Sequence, residues 1–403
     1  MYPIVLSGHD GPLTKVMYNR EGDIIFSVAK FKENKQVPTA WWSDTGERLG
    51  TYDGHANGVV WDIDVTQDSA YLITASARSE IKLWNVQSGK ELVGFEHHTK
   101  GAVRCVNFSP DGSFYFVITQ IFGTLKKKYP KGALLSVYQT PDELFQEGEG
   151  KTTITLDPPL NECITETLIE EYGEEEAFSP EEEIEIDSGW CGSWFKFPNG
   201  RQGILVGGED GKLRVYGWNE QTGVFMKLLE VSKHEKVIND IQFDRAGKFF
   251  VTASKDGKVK LIDSYDFKTW KVYQSDFPVN SAAIHPRFEH VIFGGGQDSK
   301  DVTTTSSDQA GFEAQFAHMI HRNIFGKVKL HFGPINSLAI NPDGTSFVTA
   351  GEDGTLRLCH FTAKYMSKQS KDERKLKRWI DKYNDLKRME GEDGEAKVAG
   401  GKR

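Results

Sequence analysis

The sequence predicts an all-β fold, a β-propeller of seven blades closed by its N-terminal strand. Three observations carry the prediction. The first is a repeat of about 45 residues, in which an alternating apolar strand runs into a Gly-centred turn. It occurs at 16–22, 106–112, 241–247 and 338–344, with a looser copy at 63–69. The second is a histidine before the first strand, in Gly8-His9 and Gly54-His55, with His234 and His331 in the same frame. The third is an Asp-Gly pair between second and third strands: Asp210-Gly211, Asp256-Gly257 and Asp353-Gly354. Glycine accepts positive φ without steric cost, so Asp-Gly between two alternating apolar runs marks a tight hairpin.

Taken in order, the blades are expected over 7–49, 50–93, 94–157, 188–231, 232–273, 274–330 and 331–362. The third strand ends on Trp42 in the first repeat and on Trp84 in the second. Later repeats replace the Trp, as in Val215-Tyr216, Leu261-Ile262 and Leu358-Cys359. The full set of marks in one frame resembles the WD40 repeat. The seventh block holds only three clear strands, so the apolar run Pro3-Ile4-Val5-Leu6 is expected to complete it and leave no open sheet edge. His9, His55, His234 and His331 fall on four different blades and cannot converge on one ion. Each is expected to hydrogen-bond a turn Asp and a strand Ser or Thr, for example Asp256 with Thr252 or Asp353 with Thr349.

The propeller therefore accounts for residues 1–362, and two charged segments lie outside the repeat. Residues 158–187 carry twelve Asp or Glu and neither Lys nor Arg. One-sign charge at that density repels itself, and the segment is expected to be a disordered insertion between blades three and four. Residues 363–403 are expected to form a helix and a flexible tail. Ser370 and Glu373 have capping-box spacing, and Leu376, Ile380, Tyr383 and Leu386 form one apolar stripe beside a basic face. Any direct RNA contact is expected through this tail, since the chain as a whole is acidic, with a net charge of −9.

The composition excludes several classes. No apolar run approaches the ~18 residues that a membrane span needs, and no charged leader precedes an apolar stretch. Cys105, Cys163, Cys191 and Cys359 are scattered without a C-x-x-C pair, which fits a reducing, cytoplasmic setting and argues against zinc. There is no phosphate loop and no nucleophile elbow. Gly294-Gly295-Gly296 is followed by Gln297-Asp298 rather than a helix start. His318 and His321 are read within one strand, where their side chains would point to opposite faces. Asp62 and Asp64 read as in-frame strand positions. No catalytic group, cofactor or metal is expected.

Several stretches are more specific than the repeat: 18–30, 46–55, 280–283, 294–306 with its Asp301-Val302-Thr303-Thr304-Thr305, 311–316 and 331–336. They closely resemble the subunit i family of eukaryotic translation initiation factor 3, whose members are seven-bladed WD40 proteins. The resemblance covers most of 1–362 and is weakest in blades three and four. It implies a non-catalytic scaffold that binds subunits b and g and supports assembly of the 43S preinitiation complex and mRNA scanning on the 40S ribosomal subunit. It further implies that a helical segment of subunit b docks on the flank of blades five and six, where Leu261 and Asp263 match contact positions. A further acidic contact position of the family is Ala246 here. The acidic insertion and the basic helix depart from the family pattern. The competing reading is a general WD40 adaptor in signalling or ubiquitin ligation, which would show Arg and aromatic residues clustered around the central channel.

Overall fold

A computed structural model describes residues 3–31, 37–55, 58–141, 145–148, 151–154, 180–197, 200–219, 222–297, 311–321 and 324–367. The chain divides into two compact units, one over residues 2–359 and the other holding the C-terminal residues from His360. In the larger unit most of the described strands form four-stranded antiparallel sets, built mainly from consecutive hairpins. Their innermost strands are Leu13–Tyr18, Gly58–Val65, Ala102–Phe108, Cys191–Lys196, Ile238–Phe243, Val279–Ile284 and Ile335–Ile340. Each touches the next, and the last touches the first, so the ring is closed. We number the blades one to seven in this order.

The ring closes as expected. Ile4–Ser7 pairs antiparallel with Thr355–His360, in the register Ile4 to Leu358 and Ser7 to Thr355, and becomes the outermost strand of blade seven. Leu6 is buried, whereas Ile4 and Val5 face solvent. Blades one and two share a longer sheet. Strand Ile24–Phe31 has eight residues, and its far end overruns its partner Leu13–Tyr18, pairing Lys30 with Val59 and Phe31 with Gly58.

Blade three corrects the expected boundaries. Its outermost strand is Glu182–Ile186, paired with Ala133–Gln139 in the register Ala133 to Ile186. Five residues of the expected 158–187 insertion are thus a strand, and the insertion falls inside blade three rather than between blades. The alternation Ile184-Glu185-Ile186 is the cause: Ile186 is buried and Ile184 packs on the core of Phe116, Leu135 and Trp194, while Glu183 and Glu185 stay outside. A separate ribbon pairs Phe145–Gly148 with Lys151–Ile154. Residues 155–179 lie outside the described residues, as do 368–403 with the expected stripe Leu376, Ile380, Tyr383 and Leu386. Residues 363–367 are helical.

The Asp-Gly turns sit where expected, in a three-residue rather than a two-residue form. Gly257 has φ 78°, and its N–H donates to Ser254 O at 3.2 Å, so Lys255-Asp256-Gly257 links two strands with glycine in the left-handed position. A Cβ at the matching Gly211 would stand 2.2 Å from His234 O, which leaves room for no other residue.

Deleting residues 3–7 is expected to strip blade seven of its outer strand and lower the melting temperature by several degrees, with aggregation through the bared edge. An unchanged melting profile in differential scanning calorimetry would refute closure by this strand.

Candidate functional site

The histidines are structural, and the blades differ in how completely each is satisfied. His234 Nδ1 lies 2.9 Å from Asp256 and Nε2 lies 2.8 Å from Thr252 Oγ1. His331 repeats this with Asp353 at 3.1 Å and Thr349 at 2.8 Å. His55 uses Glu80 at 3.0 Å in place of an Asp, with Thr74 at 2.7 Å. His9 reaches Ser27 Oγ at 2.8 Å, but its Nδ1 is buried without a partner. Burial, with the nearby Arg48 charge, depresses the His9 pKa to about 4. In blade four Asp210 meets no histidine: the buried Arg214 takes that place, with Nη2 2.5 Å from Asp210 Oδ2.

The blade-one tryptophan is Trp41 rather than the expected Trp42. Trp41 is buried and donates from Nε1 to Ser27 Oγ at 2.8 Å, as Trp84 does to Thr74 Oγ1 at 3.0 Å. Trp42 is exposed. In a strand of period two, one residue of offset moves the side chain to the other face.

One histidine was not expected. His97, buried in blade three, has Nδ1 2.8 Å from Thr99 Oγ1 and Nε2 3.3 Å from Ser136 Oγ. Its spacing from His55 is close to the repeat and could have revealed it. Its ring stacks on His98, and the ligand atoms of His97, His98 and Glu183 lie within 4.8 Å of one another. Both nitrogens of His97 are already engaged by protein hydroxyls, so this cluster fits a metal ion poorly. His318 and His321 also depart from expectation. The strand ends at His318, His321 lies in the following turn, and the two rings approach to 4.7 Å between centroids.

At the centre, inner strands of neighbouring blades are joined by side chains. Asp62 accepts from Val106 N–H at 3.1 Å, and Asp64 accepts from Phe108 N–H at 2.7 Å and Asn107 Nδ2 at 2.8 Å. Ser281 Oγ accepts from Leu338 N–H at 3.0 Å, and Ser337 Oγ from Val16 N–H at 3.2 Å. Lys15 of blade one spans the channel, its Nζ 3.2 Å from Asp240 of blade five and 4.0 Å from Asp62 of blade two. Burial opposes the Lys15 charge, but the carboxylates of Asp240 and Asp62 outweigh it and hold the pKa above its usual range. Burial raises the Asp64 carboxyl from 3.8 to about 7, against the pull of its two backbone donors. Asp62 and Asp64 are therefore strand positions whose side chains also link blades.

The flank of blade five is a different surface. Its outer strand Thr269–Gln274 pairs on one side with Lys258–Asp263 and exposes Trp270 and Val272, beside the exposed Tyr265. Trp270 packs edge-on against Phe249, with ring centroids 5.3 Å apart. Asp263 is half-buried and accepts from Tyr265 N–H at 2.8 Å. Ala246 lies exposed in the turn of the same blade. Leu261 corrects an expectation: it is 2% exposed, within a core of Val251, Tyr273, Val279 and Phe293 between blades five and six.

Comparison with known proteins agrees with the repeat architecture. The WD domain, G-beta repeat family matches residues 46–85, 89–119, 226–263 and 324–360. Eukaryotic translation initiation factor 3 subunit I of Aspergillus oryzae is 37% identical over 365 residues, 91% of this chain and 96% of that protein. The same subunit of Kluyveromyces lactis is 37% identical over 366 residues, covering 91% and 93%. The chain belongs to the initiation factor 3 subunit I family. Of the stretches that resemble this family, 298–306 lies outside the described residues, whereas 311–316 and 331–336 fall in blades six and seven. No described helix is long and apolar enough to cross a membrane.

Two predictions follow from the hydrogen-bond networks of this family member. His234→Ala leaves the buried Asp256 carboxylate and Thr252 without their shared partner. It is expected to cost about 2–4 kcal/mol, read as a lower urea midpoint with unchanged slope. A loss under ~0.5 kcal/mol would refute the structural role.

The second concerns Asp64. Its pKa is raised on folding, so its contribution is complete below pH 4 and is lost as pH rises through about 7. Asp64→Asn removes that titration. The stability of the variant relative to the parent is expected to rise from pH 4 to 7, by at most ~1.4 kcal/mol per unit, and then level off. A pH-independent difference would contradict the assignment.

Proposed function

We propose that this chain is a non-catalytic scaffold of initiation factor 3, cytoplasmic, holding subunits b and g within the factor and supporting 43S assembly and scanning on the 40S subunit. The observation that carries this reading, beyond family membership, is the exposed outer strand of blade five. A closed propeller protects its sheet edges by keeping outer strands short and polar. Several outer strands here expose apolar side chains, among them Leu228 of blade four and Phe325 of blade six. That of blade five presents Trp270 and Val272 beside Tyr265 and the Asp263 carboxylate, an aromatic and acidic pairing. An aromatic anchor next to a half-buried acid suits an amphipathic helix carrying a Lys or Arg. Such a helix is what the resemblance implies for subunit b.

With Ala246 in place of an acid, apolar contact is expected to contribute more to this docking than charge. Leu261 supports the surface from beneath, because its side chain fixes the strand pair that carries Asp263 and Trp270. Subunit g and any RNA contact by the basic tail are assigned by the resemblance and by charge, and belong to the same proposal.

The test is reconstitution with purified subunits b and g. Trp270→Ala is expected to weaken subunit b binding about 30-fold, the loss of one ~2 kcal/mol anchor, and Asp263→Lys to weaken it in a salt-dependent way. Both variants are expected to melt like the parent. Leu261→Lys is expected to destabilise the propeller itself, since it buries an unpaired charge between two blades. Full retention of subunit b by the Trp270→Ala, Asp263→Lys double variant would rule out this flank.

A further inference from the structure

At the centre of the ring lies a cation, Arg104, that meets no acceptor among the described residues. Arg104 sits on the inner strand of blade three, and its guanidinium lies between two indoles. Trp61 of blade two is 3.9 Å away from centroid to carbon, and Trp190, just before the inner strand of blade four, is 3.8 Å away. Stacking on both faces satisfies the π-surface of a guanidinium and leaves its N–H edge free to meet an acceptor in the plane. Among the described residues nothing accepts from that edge, and Nε is buried with no partner. The acid whose charge acts on it is Glu209, whose Oε1 already accepts from Gln120 Nε2 at 2.8 Å. Leaving a buried charged donor unmade is costly, so this edge calls for an acceptor, water or a ligand, entering from the channel.

The stack lines a cavity of about 370 Å³ at the channel. Of the other cations on its wall, Lys15 is bound to Asp240 and Asp62, and Lys30 lies 3.5 Å from Glu352. Lys15, Lys30, Arg104 and Lys255 face Asp62, Asp64, Asp240 and Glu352, four positive residues against four negative. With its other cations facing carboxylates, this wall offers a polyanion such as RNA no run of free positive charge and leaves Arg104 for a single negative group. The volume is at the small end of ligand cavities, enough for one or two residues of an extended chain and too small for a folded domain.

We propose that this channel mouth is a binding site for one carboxylate on an extended peptide, taken in-plane by the N–H edge of Arg104 and walled by Trp61 and Trp190. A carboxylate matches the guanidinium fork in a bidentate manner, and the two indoles supply apolar area for the peptide on either side. The cluster is of the kind expected of a general WD40 adaptor; beside the blade-five flank it gives this family member a second, chemically different point of attachment.

The test uses the full chain and capped glycine pentapeptides with a central glutamate, a central glutamine, or a free terminal carboxylate in place of the side-chain one. Binding is measured by isothermal titration calorimetry. The glutamate peptide is expected to bind at least tenfold more tightly than the glutamine peptide. Comparison with the free-terminus peptide tells a side-chain carboxylate from a chain end, and tighter binding of either over glutamine supports the site. Arg104→Lys keeps the charge but loses the fork and the stacking, and is expected to bind at least tenfold more weakly at an unchanged melting temperature. Should that variant melt differently, phenylglyoxal labelling of Arg104 in the parent protein, mapped by mass spectrometry, provides the readout: the glutamate peptide is expected to protect it and the glutamine peptide not. Binding of neither carboxylate peptide above the glutamine peptide, an Arg104→Lys variant that binds like the parent, or oligouridylate that protects Arg104 from phenylglyoxal where the carboxylate peptides do not would each overturn the proposal.

Discussion

The centre of this molecule is governed by the unpaired inner edge that each blade turns toward the channel. A strand edge has a row of N–H and C=O groups, and a buried N–H without an acceptor costs about as much as a lost hydrogen bond. The neighbouring blade supplies the acceptor. Val106 and Phe108 are capped by Asp62 and Asp64, Leu338 by Ser281 and Val16 by Ser337. In these four bonds the donor and the acceptor belong to different blades, so the same bonds that satisfy the edges also hold adjacent blades in register. Carboxylates brought into this space need a counter-charge, which Lys15 supplies from across the ring.

Away from the centre, each blade solves the same problem with a different set of residues. The His, acid and hydroxyl chain is complete in blades two, five and seven. It loses its acid in blade one and gives way to Arg214 with Asp210 in blade four. In blades one, two, five and seven the histidine bridges the loop entering the blade to the strand inside it, whereas in blade four Arg214 ties the Asp210 turn to its own strand. The rim is then free to carry binding chemistry, because the blades do not depend on their outermost side chains for cohesion. Trp270 and Val272 can face solvent on blade five for that reason.

Much of this was legible from residue spacing. The repeat, the closing strand and the partners of His234 and His331 follow from short-range patterns, since a hairpin brings together residues about twenty apart in a fixed register. The errors came where the pattern gave two answers. Trp41 and Trp42 are adjacent and chemically alike, and only the register says which one faces Ser27. The charge of residues 158–187 masked the Ile184-Ile186 alternation that makes 182–186 a strand. Leu261 was taken as a contact position, but its side chain turns inward to the core shared with blade six.

The sequence by itself determined that this chain is built from WD40 repeats, where its turns and hairpins fall, and which family it belongs to, because those depend on local periodicity and on turn residues at constant offsets. Tertiary structure alone decided what the ring brings together. Lys15 and Asp240 are separated by most of the chain and meet only because the ring closes, and Trp61, Arg104 and Trp190 come from three blades with no common motif. Contacts across a closed ring are set by the angular position of each blade, a property of packing between blades that leaves no periodic trace within any one of them.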